Sequence, residues 1–310
     1  MSLARDVTSV TDGGCVGLVR GGALGDFVLP LPLIDALRNV VPSARLVLVG
    51  EPSTTRLAGA ADRVAAEGGD WARMFTPDGP SQALTRRFAD CHLLVACLPG
   101  GPESAPSHYL RNLRSLCNQV LIGDPRPESG QTYHMTHRLL EPLRGADDLT
   151  VEPRPVIPLP SHPRSEASGL VILHPGSGGR SKCWPAERFL NVLQWLQQQA
   201  VPTGILWGPA EQARREEFPP ELVSSARLLS PDSAWQLAQQ LAGARLYIGN
   251  DSGPGHVAAA VNCPTLSLFG PTEARLWRPV GARVLQAPDG DMENLASSTV
   301  IDAVADMLSA

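Results

Sequence analysis

The sequence predicts an α/β chain made of two doubly wound halves, each a parallel sheet with crossover helices. Three observations carry that expectation. Short apolar runs alternate with amphipathic stretches along almost the whole chain, the pattern of strands joined by helices. A proline-rich segment breaks the pattern near its middle. The 310 residues suffice for two domains of ordinary size.

In the first half, strands are expected at 16–19, 45–49, 92–98 and 119–122, and helices at 27–40, 107–116 and 132–143. In the second, strands are expected at 170–173, 204–207, 227–229, 245–248, 265–269 and 283–286. Helices are expected there at 185–199, 211–217, 233–242, 255–261 and 299–308. Between the halves stands VEPRPVIPLPSHPR, with Pro153, Pro155, Pro158, Pro160 and Pro163. Such a run cannot hold a helix and reads as an extended linker. The expected organisation is a domain at 1–152, a linker at 153–165 and a domain at 166–310. The last helix is the element free to pack back on the first domain. Ligands of such sheets bind beyond the carboxyl ends of the strands, so the chemistry is expected in a cleft between the halves.

Composition excludes several classes. The net charge is −5 and neither half is a basic platform, which argues against nucleic acid as a partner. Six cysteines form no CxxC pair, so zinc ribbons and dithiol redox chemistry are not expected, and most read as small buried apolar groups. No apolar run reaches the length of a membrane span. The opening MSLARDVTSV lacks a secretory pattern, which leaves the cytoplasm as the expected compartment. Of 26 basic residues, only Lys182 is a lysine.

Four segments carry chemistry. RGGALGDFVLPL, from Arg20, follows the first strand and opens a helix through a glycine turn. A dinucleotide fingerprint needs a glycine where Arg20 stands, although Glu51 after the second strand imitates its ribose acid. Two roles fit Asp26: a carboxylate at a helix start, and a general base beside a ligand. HPGSGGRSKCWPAERF, from His174, places a Ser/Gly loop, Lys182 and Pro185 between a strand and a helix, which suits an anion. It does not match GxxxxGK(S/T), so it is no Walker loop. YIGNDSGPGHVAAA gathers Asn250, Asp251, Ser252 and His256 at one strand end, more polar groups than helix capping needs. In WGPAE, Glu211 fits either a ribose hydroxyl or a helix-start acid. His134 and His137 lack a third metal ligand nearby and read as packing or solvent residues, and Arg111 and Arg114 share one helix face.

In this order, RGGALGDFVLPLPLIDALR, HPGSGGRSKCWPAERF, WGPAE and YIGNDSGPGHVAAAVNCPTLSLFGPTEARLWRP resemble the family 9 glycosyltransferases, the heptosyltransferase family of lipopolysaccharide inner-core assembly. The resemblance implies a GT-B architecture, with the nucleotide-sugar donor on the second domain and the acceptor on the first. It implies inverting, metal-independent transfer, with ADP-heptose as donor, no cofactor, and a glycan or lipopolysaccharide-core-like acceptor. By position, Asp26 matches the catalytic base, beside Gly25, and Lys182 matches the lysine facing the donor phosphates. Ser177, Gly178, Ser252, Gly253 and His256 match the phosphate side, Asp251 borders the sugar and Glu211 matches a ribose ligand. Arg111 falls on the acceptor side. Membrane contact is expected to be at most peripheral, at the inner face of the inner membrane. The text after the 92–98 strand, ACLPGGPESAPSHYL, departs from the family's pattern on the acceptor side. That departure motivates an alternative, a GT-B-shaped nucleotide-sugar-binding or scaffold protein without transfer activity.

Overall fold

The computed structural model describes residues 14–40, 42–59, 61–144, 153–160 and 165–309. The N-terminal segment, where the sequence shows no secretory pattern, lies outside the described residues, as does part of the linker. The chain divides into two compact units, Met1–Val156 and Ile157–Ala310.

Unit 1 is a five-stranded parallel sheet: β1 (Cys15–Val19), β2 (Arg45–Gly50), β3 (Asp62–Ala65), β4 (Cys91–Cys97) and β5 (Val120–Gly123), in the order β3-β2-β1-β4-β5. The apolar runs became strands because both faces of β1 and β4 are buried, which demands near-continuous Val, Leu and Ile. β3 was not expected. It reads DRVA at the sheet edge and buries only Val64, so it carries no apolar run to recognise. The single helix expected at 27–40 is two, Leu24–Val28 and Leu31–Val40. Pro30 has no N–H for the ladder, and its carbonyl instead accepts from Leu33 and Ile34 to start the second helix. The helix Ser107–Leu116 has its expected bounds. Pieces such as Pro52–Thr55, Gly69–Ala72 and Gln82–Arg87 span too few residues to show a period, and were not foreseen. One face of the sheet packs Trp71, Met74, Phe88, Tyr109 and Leu113 against Val47 and Leu94.

Unit 2 is a six-stranded parallel sheet: β6 (Val171–His174), β7 (Thr203–Leu206), β8 (Arg227–Leu229), β9 (Leu246–Asn250), β10 (Thr265–Phe269) and β11 (Arg283–Gln286), in the order β11-β10-β9-β6-β7-β8. All six strands match expected runs. The helix expected at 211–217 is a short helix, Pro209–Gln212, followed by a separate 3₁₀ turn, Arg215–Glu217. The last helix, Ser297–Ser309, buries Val300, Ala303 and Val304 with Val192 and Leu196 in this unit's own core. The described linker residues 153–160 hold no helix or strand, Pro155 and Ile157 are buried, and the Ile157 amide donates to the Ala260 carbonyl at 3.0 Å.

The strand orders locate the sites. In unit 1 the winding reverses between β1 and β4, so the loop leaving β1 lies beside a crevice at the carboxyl edge. In unit 2 it reverses between β6 and β9, so the loops 175–184 and 251–253 face each other there. Close approach of backbones fixes the first of these. The Arg20 amide donates to Val49 O at 2.8 Å, and a Cβ on Gly50 would stand 2.7 Å from Arg20 O. Gly50→Ala is therefore expected to destabilise the fold by about 1–3 kcal/mol, read as a lower urea midpoint. An unchanged midpoint would mean that the two strand ends have room to part.

Candidate functional site

In unit 2 the site is assembled around a buried amide. Asn250 ends β9 and is fully buried. Its Nδ2 donates to Pro175 O at 2.8 Å and its Oδ1 accepts from the Trp184 amide at 3.0 Å, so one side chain holds both ends of the loop that leaves β6. Ser177 Oγ donates to Asp251 O at 2.8 Å, and Arg214 Nη2 donates to Ser177 O at 3.0 Å, which closes the loop from two more sides. Lys182, in the 3₁₀ turn Arg180–Lys182, points its Nζ to Asp251 Oδ2 at 2.7 Å. The lysine side chain is 37% exposed and the aspartate 7%, so the lysine reaches solvent while its partner does not.

Beside this pair the helix Gly253–Ala260 begins at Ser252. The amides of Ser252 and Gly253 precede the first helical turn, where N–H groups have no intrahelical acceptor and the dipole favours an anion. An ammonium, a glycine-containing loop and a helix start thus converge on one side of Asp251. Gly178, in that loop, is exposed, with nothing within 4 Å of where a Cβ would stand. His256 is buried in the first turn of the helix.

A second layer lies behind. His174, at the end of β6, is buried and hydrogen-bonds Tyr247 Oη through Nδ1 at 2.8 Å, with Ser252 Oγ 3.3 Å from the same nitrogen. Its Nε2 stands 3.2 Å from Glu211 Oε1, at ion-pair distance but off the line of a hydrogen bond, so Oε1 has no donor. Glu211 Oε2 accepts from the Gly208 amide at 2.7 Å, which makes Glu211 the helix-start acid that the sequence allowed. Burial acts to raise the Glu211 carboxyl, but His174 and the Gly208 amide outweigh it and hold the group below its ordinary value. Gly176 is required here: a Cβ at that position would stand 1.5 Å from Glu211 Oε1.

In unit 1 the turn after β1 presents Asp26. Gly22 has φ +114°, in the left-handed region, and a Cβ on it would lie 2.8 Å from Asp26 Oδ2. Asp26 Oδ2 accepts from the Ala23 amide at 3.0 Å, the capping role foreseen for it. Arg20, 7% exposed, donates through Nη2 to Oδ1 at 3.0 Å and through Nε to the Asp26 carbonyl at 2.9 Å. Each carboxylate oxygen therefore has one fixed donor, while the group remains 38% exposed. Gly25 is half-buried in the same turn, and Arg111 is exposed, with Nη2 3.4 Å from Pro77 O.

The structure brings together Ser177, Lys182, Asp251, Ser252 and Gly253 in unit 2, and holds Gly25 and Asp26 on the β1 turn of unit 1. His134 and His137 are buried; His134 Nδ1 accepts from the Thr136 amide at 3.3 Å, the role of a cap rather than a ligand. Sequence reasoning passed over Arg20, His174, Tyr247 and Arg214. Arg20 carried a signal, since the dinucleotide pattern fails at that position and the side chain lies six residues before Asp26 across a glycine turn. The other three meet the site through distances of 31 to 73 residues along the chain, which no local pattern displays.

The family model of glycosyltransferase family 9 (heptosyltransferase) matches residues 104–299. Among curated relatives, lipopolysaccharide heptosyltransferase 3 of Escherichia coli (strain K12) is 31% identical over 140 residues, 43% of this chain and 40% of that protein. Lipopolysaccharide heptosyltransferase 1 of Pseudomonas aeruginosa is 36% identical over 171 residues, 55% of this chain and 42% of that protein. The matched regions thus span about 40% of the length of these relatives. Among solved structures, a family 9 glycosyl transferase from Veillonella parvula aligns with TM-score 0.73 at 18% identity, covering 96% of this chain and 97% of that one. E. coli ADP-heptose lps heptosyltransferase II aligns with TM-score 0.72 at 15% identity, covering 95% and 98%. These likenesses show the fold, two parallel-sheet α/β domains of the GT-B class.

Two outcomes follow from the buried layer. Asn250→Ala strands the Trp184 amide and the Pro175 carbonyl, and is expected to cost about 1–3 kcal/mol in urea unfolding. Glu211, with its lowered native value, contributes stability that is present above its ordinary value of 4.5 and is lost as pH falls through the native value. The stability difference between the native chain and Glu211→Gln should therefore shrink on acidification from neutrality to below pH 4.5, measured as urea midpoints across pH.

Proposed function

The chain belongs to glycosyltransferase family 9, and from that premise we propose that it is an inverting heptosyltransferase that takes ADP-heptose as donor and a lipopolysaccharide-core-like glycan as acceptor. The observation that carries the reading is the set of groups around Asp251: Lys182 Nζ at 2.7 Å, the Ser177 loop, and the start of the helix Gly253–Ala260. These are the groups a leaving diphosphate needs.

In this reading unit 2 binds the donor. Its diphosphate lies on the Ser252 and Gly253 amides and recruits Lys182, whose side chain is partly exposed beside Asp251. Asp251 keeps the lysine aimed, so little is spent on ordering it when the phosphates arrive. Glu211 is buried with Oε1 directly behind Gly176, so it supports the donor loop from behind and is not open to the ribose that the resemblance assigns to it. One protein of the same fold, E. coli heptosyltransferase WaaC, has been solved both with ADP and with ADP-2-deoxy-2-fluoro heptose.

Unit 1 supplies the base. Asp26 accepts the proton of the acceptor hydroxyl while that oxygen's electron pair forms the bond to the anomeric carbon from the face opposite the diphosphate. The anomeric carbon–oxygen bond breaks with its electron pair going to the diphosphate, and the configuration inverts. Lys182 and the helix start meet the charge that develops on the leaving oxygen. The proton ends on Asp26, whose oxygens keep an open lone pair because Arg20 and the Ala23 amide take one direction on each. The balance requires no metal ion, and a chelator should leave the rate unchanged. The acceptor's lipid portion, where present, would bring unit 1 into peripheral contact with a membrane; among the described residues no helix is long and apolar enough to cross one.

The test is direct. Incubated with ADP-heptose and deacylated lipopolysaccharide oligosaccharide, the chain should release ADP and yield a product whose new linkage has inverted configuration by NMR. Asp26→Asn should lower the rate by about 10²–10⁴-fold with ADP affinity unchanged. Lys182→Met should lower the rate by about 10²–10³-fold and weaken ADP as well. Tight ADP-heptose binding without any ADP release over a range of glycans would instead favour the binding or scaffold protein.

A further inference from the structure

We propose that Phe75 is the stacking platform for a saccharide ring of the acceptor, bordered by Arg111; the inference rests on the transferase reading and names a subsite for it. Phe75 is 48% exposed, and is the one aromatic side chain among the exposed large apolar residues described. A single exposed apolar side chain is ordinary. What sets this one apart is how it is held.

Its ring lies flat on Tyr109, with centroids 4.2 Å apart and planes 8° from parallel. Tyr109 is buried, in the same core cluster as Trp71. On the backbone, the buried Asn112 donates from Nδ2 to both carbonyls that flank the phenylalanine, Met74 O and Thr76 O, each at 2.9 Å. The loop is thus clamped on both sides of the ring, one ring face is covered, and the other is left to solvent. The same clamp would hold the loop equally well with a polar residue at position 75, and that residue would leave no apolar face in water. A rigid aromatic with one free face has already lost the freedom that binding would otherwise cost.

The surroundings select the occupant. No other exposed large apolar side chain is described between residues 14 and 144, and the charged Arg73 and Asp78 beside Phe75 in the chain are exposed. A protein partner would need a wider apolar patch. A pyranose presents one apolar C–H face of about the size of that ring and a rim of hydroxyl or carboxylate groups. Arg111 lies at that rim, fixed beside the loop by its contact with Pro77 O and still exposed. Placement agrees. The segment bearing Phe75 leaves the carboxyl end of β3, and the helix Ser107–Leu116 begins after the loop that leaves β4, on the edge that also carries Asp26.

The test is titration calorimetry of the full chain, with ADP at saturation, against deacylated lipopolysaccharide oligosaccharide. Phe75→Ala, a surface change, should weaken binding by about tenfold, and Phe75→Trp should stay within about twofold of the native chain. ADP affinity should be the same in all three. Native binding retained in Phe75→Ala, or no binding by the native chain, would overturn the subsite. Binding that depends on position 75 without any sugar transfer would overturn the transferase reading and leave the saccharide platform standing.

Discussion

The hydrogen bonds of one buried amide organise unit 2. Asn250 has no contact with water, so its donors and acceptor must be met by protein. They are met by Pro175 and Trp184, the two ends of the loop after β6. The loop cannot drift from the end of β9 without leaving polar groups unpaired in the interior, at a cost of about 1–3 kcal/mol for each. Everything that gives the site its character follows from that constraint. Lys182 lies within the stapled loop, Asp251 is the next residue after the amide, and the helix start comes one residue later.

Unit 1 solves a similar problem with a charge pair in place of an amide. Arg20 is almost fully buried and would be costly to leave unpaired. Its guanidinium finds the carbonyl and the carboxylate of the same residue, Asp26, and so fixes that residue in both position and rotation. The glycine at 22 permits the approach, since any Cβ there would collide with the carboxylate. The result is an acidic group held still and left partly in solvent, which is what proton transfer from a bound hydroxyl requires. In both units, then, a buried polar side chain with obligatory partners aims an exposed one with chemistry.

The behaviour of Glu211 shows how a layer behind a site can matter. Its carboxylate, the His174 ring, Tyr247 and the Ser252 hydroxyl form one connected polar group beneath the loops. Gly176 is the gap through which Glu211 reaches that group. A change at any member would be felt at the helix start, because Ser252 is both a member of the network and the first residue of the helix's anion-favouring end.

Much of this was legible in the chain alone. The alternation of apolar runs and amphipathic stretches determined two parallel sheets, and ten of the eleven strands described are where those runs lie; the central ones, such as β1, β6, β9 and β10, are apolar because they are buried on both faces. The segments HPGSGGRSK and NDSGPGH announced an anion site, because glycine, a hydroxyl, a lysine and a helix start are local features. The edge strand β3 and the short helices were not legible, because they bury one residue or are too short to repeat a helical period. Nor were the pairings. Lys182 with Asp251, Asn250 with Trp184, His174 with Glu211 and Arg20 with both ends of Asp26 are decided by which strands the winding brings side by side. A sequence records the period of burial along one line. It does not record which buried donor will meet which acceptor, because that choice is made by the desolvation cost of leaving either one alone once the sheets have closed.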